Sequence, residues 1–233
     1  MVNCDAKSFT RLRALHHAGS TYALKFDLAG WTQVDKDPVQ WRISRDHGYT
    51  NAEIFFHNRP CHDSVFDQSR FRDVSRIATI LEDGALISAD LVTMRGAAAG
   101  RCITKLPQKP AGMNYCGVLI IPFEDCHVTI SVTCRDDGLA GFRDTAVYTE
   151  MSASSKVIER WQQDPYDSTV NEHLMRNLSE DERYDKHFPE HPLTRVRKYL
   201  REFGRSFRFD HHKLEQPMLA EPWIARVLRP VFQ

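Results

Sequence analysis

Apolar positions along this chain follow two periods. Between residues 22 and 56 they alternate: Tyr22, Leu24 and Phe26, then Val39, Trp41 and Ile43, then Ala52, Ile54 and Phe56. Successive side chains on a strand point to opposite faces of its sheet, so alternation marks a strand with one buried face. Polar turns at Asp35–Pro38 and Asp46–Gly48 separate the runs and predict antiparallel pairing. Over residues 67–84 the period becomes helical. Phe71, Val74, Ile77, Ala78 and Leu81 recur on one side, with Arg70, Arg72, Asp73 and Arg76 mainly off it. Asp67 or Ser69 is placed to cap the first turn and Gly84 to close the last. Upstream, Ser8 to His17 reads as a short helix ending at Gly19.

A meander follows: "ALISADLVTMRG", "GRCITKL", "MNYCGVLIIPF" and "CHVTISVTC", divided by turn residues. In the last run Cys126, Val128, Ile130, Val132 and Cys134 share one face, and His127, Thr129, Ser131 and Thr133 share the other. The run before it hardly alternates, which predicts a strand covered on both faces, with Ile120 and Ile130 both inside. Leu139, Phe142 and Ala146 then outline a second helix, with Asp136 or Asp137 as its cap. "SKVIERWQQ" continues or restarts it, and Asp164-Pro165 ends it.

From about Pro165 the chain turns strongly polar, with too few apolar residues for a second core. Residues 1–164 are therefore expected to form a sheet-and-helix domain and residues 165–233 a helical extension packed on it. Within the extension, "FPEHPLTRVRKYLREFG" carries a helix start and stop. Pro192 suits the first helical position, and Glu190 lies near the positive helix end. Leu193, Val196, Leu200 and Phe203 form an apolar stripe, Gly204 is the expected stop, and Phe188 pins the corner.

"FDLAGW" (Phe26 to Trp31), the helix from Arg70 to Leu81 and the meander from Leu86 to Cys134 together resemble the PsbP-like fold, an antiparallel sheet flanked by helices. The resemblance covers roughly the first two thirds of the chain. It implies an α+β sandwich and, since members of that fold are mostly binding or assembly factors, a role without catalysis. No functional residue of the family carries over by motif.

Composition narrows the possibilities. The 233 residues balance 31 lysines and arginines against 31 acids, which argues against a broad nucleic-acid footprint. The longest apolar run is too short to span a bilayer, and the N-terminus has no secretory apolar region. Six cysteines without a CxxC fit reduced thiols in a soluble, cytoplasmic protein.

Candidate chemistry is sparse. No zinc spacing, glycine-rich phosphate loop or nucleophile turn is present, so no metal and no cofactor are expected. Cys61 and His62 form the one candidate exposed thiol pair. His187 and His191 bracket Pro189 in an acid-rich segment, whose run Glu180–Glu182 with Asp185 reads as solvated surface. These four residues are the alternative catalytic candidates, for a hydrolase using a Cys/His or Asp/Glu/His site. Arg197, Arg201 and Arg205 recur at four-residue spacing and are expected to project together as a contact surface for a protein partner. The expectation is a non-enzymatic, protein-binding accessory or assembly factor, without nucleic-acid or membrane partners.

Overall fold

The computed structural model describes residues 9–11, 15–17, 20–22, 24–27, 29–36, 40–45, 49–57, 60–61, 67–94, 97–108, 112–123, 126–136, 140–153, 161–162, 164–167, 176–206 and 208–209. The chain begins with short strands β1 (Phe9–Arg11), β2 (Leu15–His17), β3 (Ser20–Tyr22) and β4 (Leu24–Asp27). Next come β5 (Thr32–Lys36), β6 (Gln40–Arg45), β7 (Thr50–His57) and helix α1 (Gln68–Leu81). The meander is β8 (Ala85–Met94), β9 (Ala97–Pro107), β10 (Met113–Pro122) and β11 (His127–Arg135). Helix α2 (Ala140–Ser152) precedes the two-residue strands β12 (Trp161–Gln162) and β13 (Arg176–Asn177). Two 3₁₀ turns, Leu178–Glu180 and Glu182–His187, lead into α3 (Pro192–Ser206) and β14 (Arg208–Phe209).

One seven-stranded antiparallel sheet, in the order β5-β6-β7-β11-β10-β9-β8, organises the molecule. The expected alternation holds on β11, where Val128, Ile130, Val132 and Cys134 are buried and the residues between them are half-buried. The short N-terminal helix does not form. Phe9–Arg11 pairs with β4, and Leu15–His17 pairs with β3 as a hairpin, so local hydrogen bonding in ladders replaces a helix with too few apolar anchors. Trp161–Gln162 is likewise a strand, paired with Arg176–Asn177, and not a helical continuation.

α3 lies across the centre of the sheet. Leu193, Val196, Tyr199, Leu200 and Phe203 join Ile54, Leu119, Ile130 and Val132 in one core, closed at its edge by Trp31. Pro192 is the first helical residue, as its missing N–H favours. The helix runs through Gly204 to Ser206, so the glycine does not stop it. Close approach depends on Gly117 of β10, where a Cβ would lie 2.5 Å from Val196 and 2.6 Å from Leu200. On the opposite face Gly100 of β9 receives the ring of Phe71 of α1, 2.8 Å from where its Cβ would stand.

The acid-rich run is solvated only in part, at the exposed Glu182. Glu180 and Asp185 are buried. The Glu180 carboxylate accepts from Lys105 Nζ at 3.0 and 3.1 Å, from the Tyr115 hydroxyl at 3.0 Å and from the Asn177 N–H at 2.7 Å. Asp185 pairs with Arg143 at 3.0 Å and with Arg197 at 2.8 Å, and accepts from Thr194 Oγ1 at 3.2 Å. Burial, reinforced by the Glu180 charge, pushes the Tyr115 phenol well above its ordinary range, so it stays a donor. Arg143 is 0% exposed. Burial lowers its affinity for the proton and Asp185 opposes that effect. On α2 the inward residues are thus Arg143 and Val147, whereas Phe142 faces out and meets the Phe188 ring edge-on at 6.2 Å.

Gly117→Val should overpack the α3 contact and lower stability by about 1–3 kcal/mol, read as a reduced urea midpoint. Lys105→Met should cost about 3–5 kcal/mol, because it leaves a buried carboxylate without its cation. Adding Glu180→Gln should restore part of that loss, since a neutral amide is cheaper to bury. If the double variant is less stable than Lys105→Met alone, the pair is not coupled as described.

Candidate functional site

The residues singled out from sequence do not converge. Arg197 is not on the exposed face expected of it: it is buried, bonded to Asp185 and, at 2.6 Å, to the Glu180 carbonyl. Arg201 pairs with Glu182 at 2.8 Å near the surface, and Arg205 is exposed in the last turn of α3. A four-residue spacing aligns three arginines on a helix, but the incoming 3₁₀ segment covers the first. His191 is buried, its Nδ1 accepting from the Leu193 N–H at 3.2 Å and its ring edge-on to Tyr115 at 5.4 Å. There it caps α3. His187 is exposed, so the two histidines of the alternative hydrolase site part company. His62 lies outside the described residues; Cys61 is half-buried. Among the described residues no group of three or more histidines, cysteines or acids is placed to hold a metal, and no helix is long and apolar enough to cross a membrane.

The feature that stands out is on the sheet face opposite α3. α1 rests there on β8 and β9, but its apolar side is not turned toward the strands. Phe71, Ser75 and Thr79 are buried, whereas Val74 is 49%, Ile77 59% and Leu81 78% exposed. The roll of the helix has a visible cause in a row of side chains four apart, two of which hold the edge strand β8 and the third Asp164. Gln68 donates through Nε2 to the Ala89 carbonyl at 2.9 Å and accepts the Leu91 N–H at 2.8 Å. Arg72 donates to the Ala89 carbonyl at 3.2 Å and pairs with Asp90 at 3.3 Å. Arg76 clasps Asp164 with two bonds, at 2.8 and 3.2 Å. The Asp164 bond raises the Arg76 pKa. In turn, burial alone would raise the Asp164 pKa, but Arg76 and the N–H groups of Tyr166 and Asp167 outweigh it and hold the carboxyl below its usual range.

Between α1 and the open part of the sheet lies a groove of about 560 Å³. Its helix wall is Phe71, Val74 and Ala78; its floor is Leu106, Val118 and Ile120; Cys61 and His127 lie along it. Ile120 is therefore not enclosed as expected: it faces the groove half-buried, while Ile130 on the other face is fully buried. Farther across, His127 stacks on His57 with ring centroids 4.1 Å apart, and Thr129, Ser131, Thr133 and Cys116 stay half-buried. Burial pushes the Cys102 thiol, at the groove base, up to about 12. A thiol so held is not an activated nucleophile. The signal was in the sequence twice, as an apolar helical stripe and as a strand that does not alternate. Phe71, Val74 and Ala78 of the stripe and Val118 and Ile120 of the strand meet at this groove.

No protein-family model and no curated protein matches the chain. Solved structures match it at low identity. A mutant of protein Mog1 is 11% identical over 86% of this chain and 95% of its own, with a TM-score of 0.44. The Saccharomyces cerevisiae Ran-binding protein Mog1p is 12% identical over 86% and 96%, with a TM-score of 0.41. A cyanobacterial PsbP from Synechocystis is 14% identical over 66% and 94%, with a TM-score of 0.39. The likeness is weak and lies at the level of fold alone.

Proposed function

We propose that this protein is a non-catalytic binding factor that seats one helix of a protein partner in the groove between α1 and the open sheet face. The observation that carries the reading is the exposure of Val74, Ile77 and Leu81 beside the half-buried Val118 and Ile120. Contiguous apolar surface of this kind marks an interaction site. Geometry favours a helix. From β10 across β11 to β7 is two strand spacings, about 10 Å, close to the diameter of one helix, about 10 Å. The outward row of Ile77 and Leu81 stands beyond the groove itself, where a small ligand in it would leave them uncovered. Strand addition at the β8 edge is disfavoured, because Gln68, Arg72 and the Tyr166 hydroxyl already occupy Ala89 and Leu91 backbone groups there.

The occupant has a stated chemistry. Its side toward α1 carries apolar residues at helical spacing, and its side toward β11 carries small or hydroxyl-bearing ones, to meet Thr129 and Ser131. A hydrolase working from Cys61 has less support, because the groove beside it is lined mainly by apolar side chains. The basic surface of α3 at Arg201 and Arg205 is a second contact we propose only as a flank, with Arg197 excluded by burial.

The test places a photo-crosslinking residue at Ile77, and separately at Thr129, in the full chain expressed in its own host, with adducts mapped by mass spectrometry. Both positions should link to one segment of a different protein whose apolar residues fall three and four apart. Val74→Glu with Ile77→Glu should abolish both adducts while changing stability by no more than about 0.5 kcal/mol per substitution. Links from Ile77 only to this same chain would make the face a dimer contact. Links from neither position, or links that survive the double substitution, would overturn the assignment.

A further inference from the structure

We infer that residues 222–229 of this same chain form a two-turn helix that covers the groove between α1 and the sheet until a partner displaces it, which rests on the reading of that groove as a seat for one helix. Residues 210–233 lie outside the described residues. What identifies the segment is its sequence and the place where the described chain ends.

The stretch "EPWIARVLRP" carries a helix start, a face and a stop. Pro222 suits the first helical position, and Pro230 turns the chain out of the helix. At the helical period Trp223, Ile224, Val227 and Leu228 fall on one side, and Arg226 and Arg229 fall on the side opposite. A helix over these residues is about 12 Å long. One so short does not hold in water by itself, so it needs a surface for its apolar side. The groove offers one: its helix wall, from Phe71 through Val74 and Ala78 to Glu82, runs for about 16 Å.

The described chain also ends on the right side of the sheet. β8 turns into β9 between Met94 and Ala97, and Pro122, His127 and His57 stand at that same end of the strands. The last turn of α3 lies there, where a Cβ on Gly204 would be 3.5 Å from the Met94 side chain. His127 and Cys61 mark the same end of the groove, and Glu82 marks the other. From Phe209, the last described residue, to Pro222 the chain can span about 40 Å. Passing from the α3 layer round the sheet to the α1 layer takes about 20 Å. Entry from the His127 end sets Trp223 beside Phe71 and Val74, and Arg229 toward Glu82. The two helices then run the same way, so their negative ends coincide at the exposed Glu82 and Asp83. Arg226 and Arg229 supply the positive charge that this end calls for.

The test is made first on the purified full chain, with a photo-crosslinking residue at Val74. An adduct within one chain, ending in residues 222–229, is expected. Light and heavy isotope-labelled chains, mixed before irradiation, separate it from a link between two copies. Trp223→Glu with Val227→Glu should remove the adduct and leave the urea midpoint in place. Arg226→Glu with Arg229→Glu should lower its yield, and the difference should shrink as salt rises. In the host, Trp223→Glu with Val227→Glu should raise the yield of partner adducts at Ile77 by about twofold or more, because a seat covered part of the time binds more weakly in proportion. No adduct in residues 222–229, links only between copies, or an adduct that survives Trp223→Glu with Val227→Glu would overturn the tail, while partner adducts in the host would still uphold the groove. The intrachain adduct with no partner adduct in the host would instead uphold the tail and overturn the partner. A partner yield unchanged by the double substitution would overturn the displacement.

Discussion

Two buried carboxylates, Glu180 and Asp185, hold this molecule together. Charges leave water only when paired and hydrogen-bonded. The two acids pair with three buried cations on three different elements: Lys105 on β9, Arg143 on α2 and Arg197 on α3. None has a counter-ion of its own element among the contacts described. The short segment between β13 and α3 supplies both acids, and its backbone supplies more: Arg143 also donates to the Ser179 carbonyl at 2.7 Å and to the Asp181 carbonyl at 3.0 Å. The segment therefore fixes where α2 and α3 can lie. Only with α3 so placed do Val196 and Leu200 meet Gly117, and only then does the central core close.

That arrangement makes the sheet two-sided in a chemical sense. One face is sealed by α3 and locked by ion pairs, which take Arg197 out of the helix's exposed basic surface. The other face carries α1 on two strands, and its remaining strands present Val118, Ile120 and the hydroxyls of Thr129 and Ser131. Interaction through α3 would have to work around a surface whose arginines are already engaged at Asp185 and Glu182. Interaction through the α1 face meets apolar groups that have no comparable claim on them.

Much of this was legible in the chain. Strict alternation from His127 to Cys134 gave the strand and both of its faces. The stripe from Leu193 to Phe203 gave the buried side of α3, because those residues have no polar competitor for the core. Two kinds of information were not legible. The amphipathic pattern of α1 shows that an apolar side exists but not which way the helix is rolled, since roll is set by bonds to residues far along the chain, such as Asp164. Likewise Glu180 looks like any surface acid until Lys105, 75 positions away, is seen beside it. A local clue was present. Asn177 and Glu180 form a capping box, with Asn177 accepting the Ser179 N–H at 2.9 Å and Glu180 accepting the Asn177 N–H. That pattern orders the turn and so aims the carboxylate inward.

The exposed stripe on α1 then follows from construction, not from a shortage of places to bury it. Turning the helix to bring Val74 down in place of Ser75 would remove apolar area from water at about 25 cal/mol per Å². It would also break what Gln68, Arg72 and Arg76 make with β8 and Asp164, and lift Phe71 out of the space left by Gly100. Those contacts come as a set, because residues four apart share one side of a helix. The anchors and the apolar stripe therefore cannot both face the protein. The roll that binds the edge strand is the roll that leaves Val74, Ile77 and Leu81 for something else to cover.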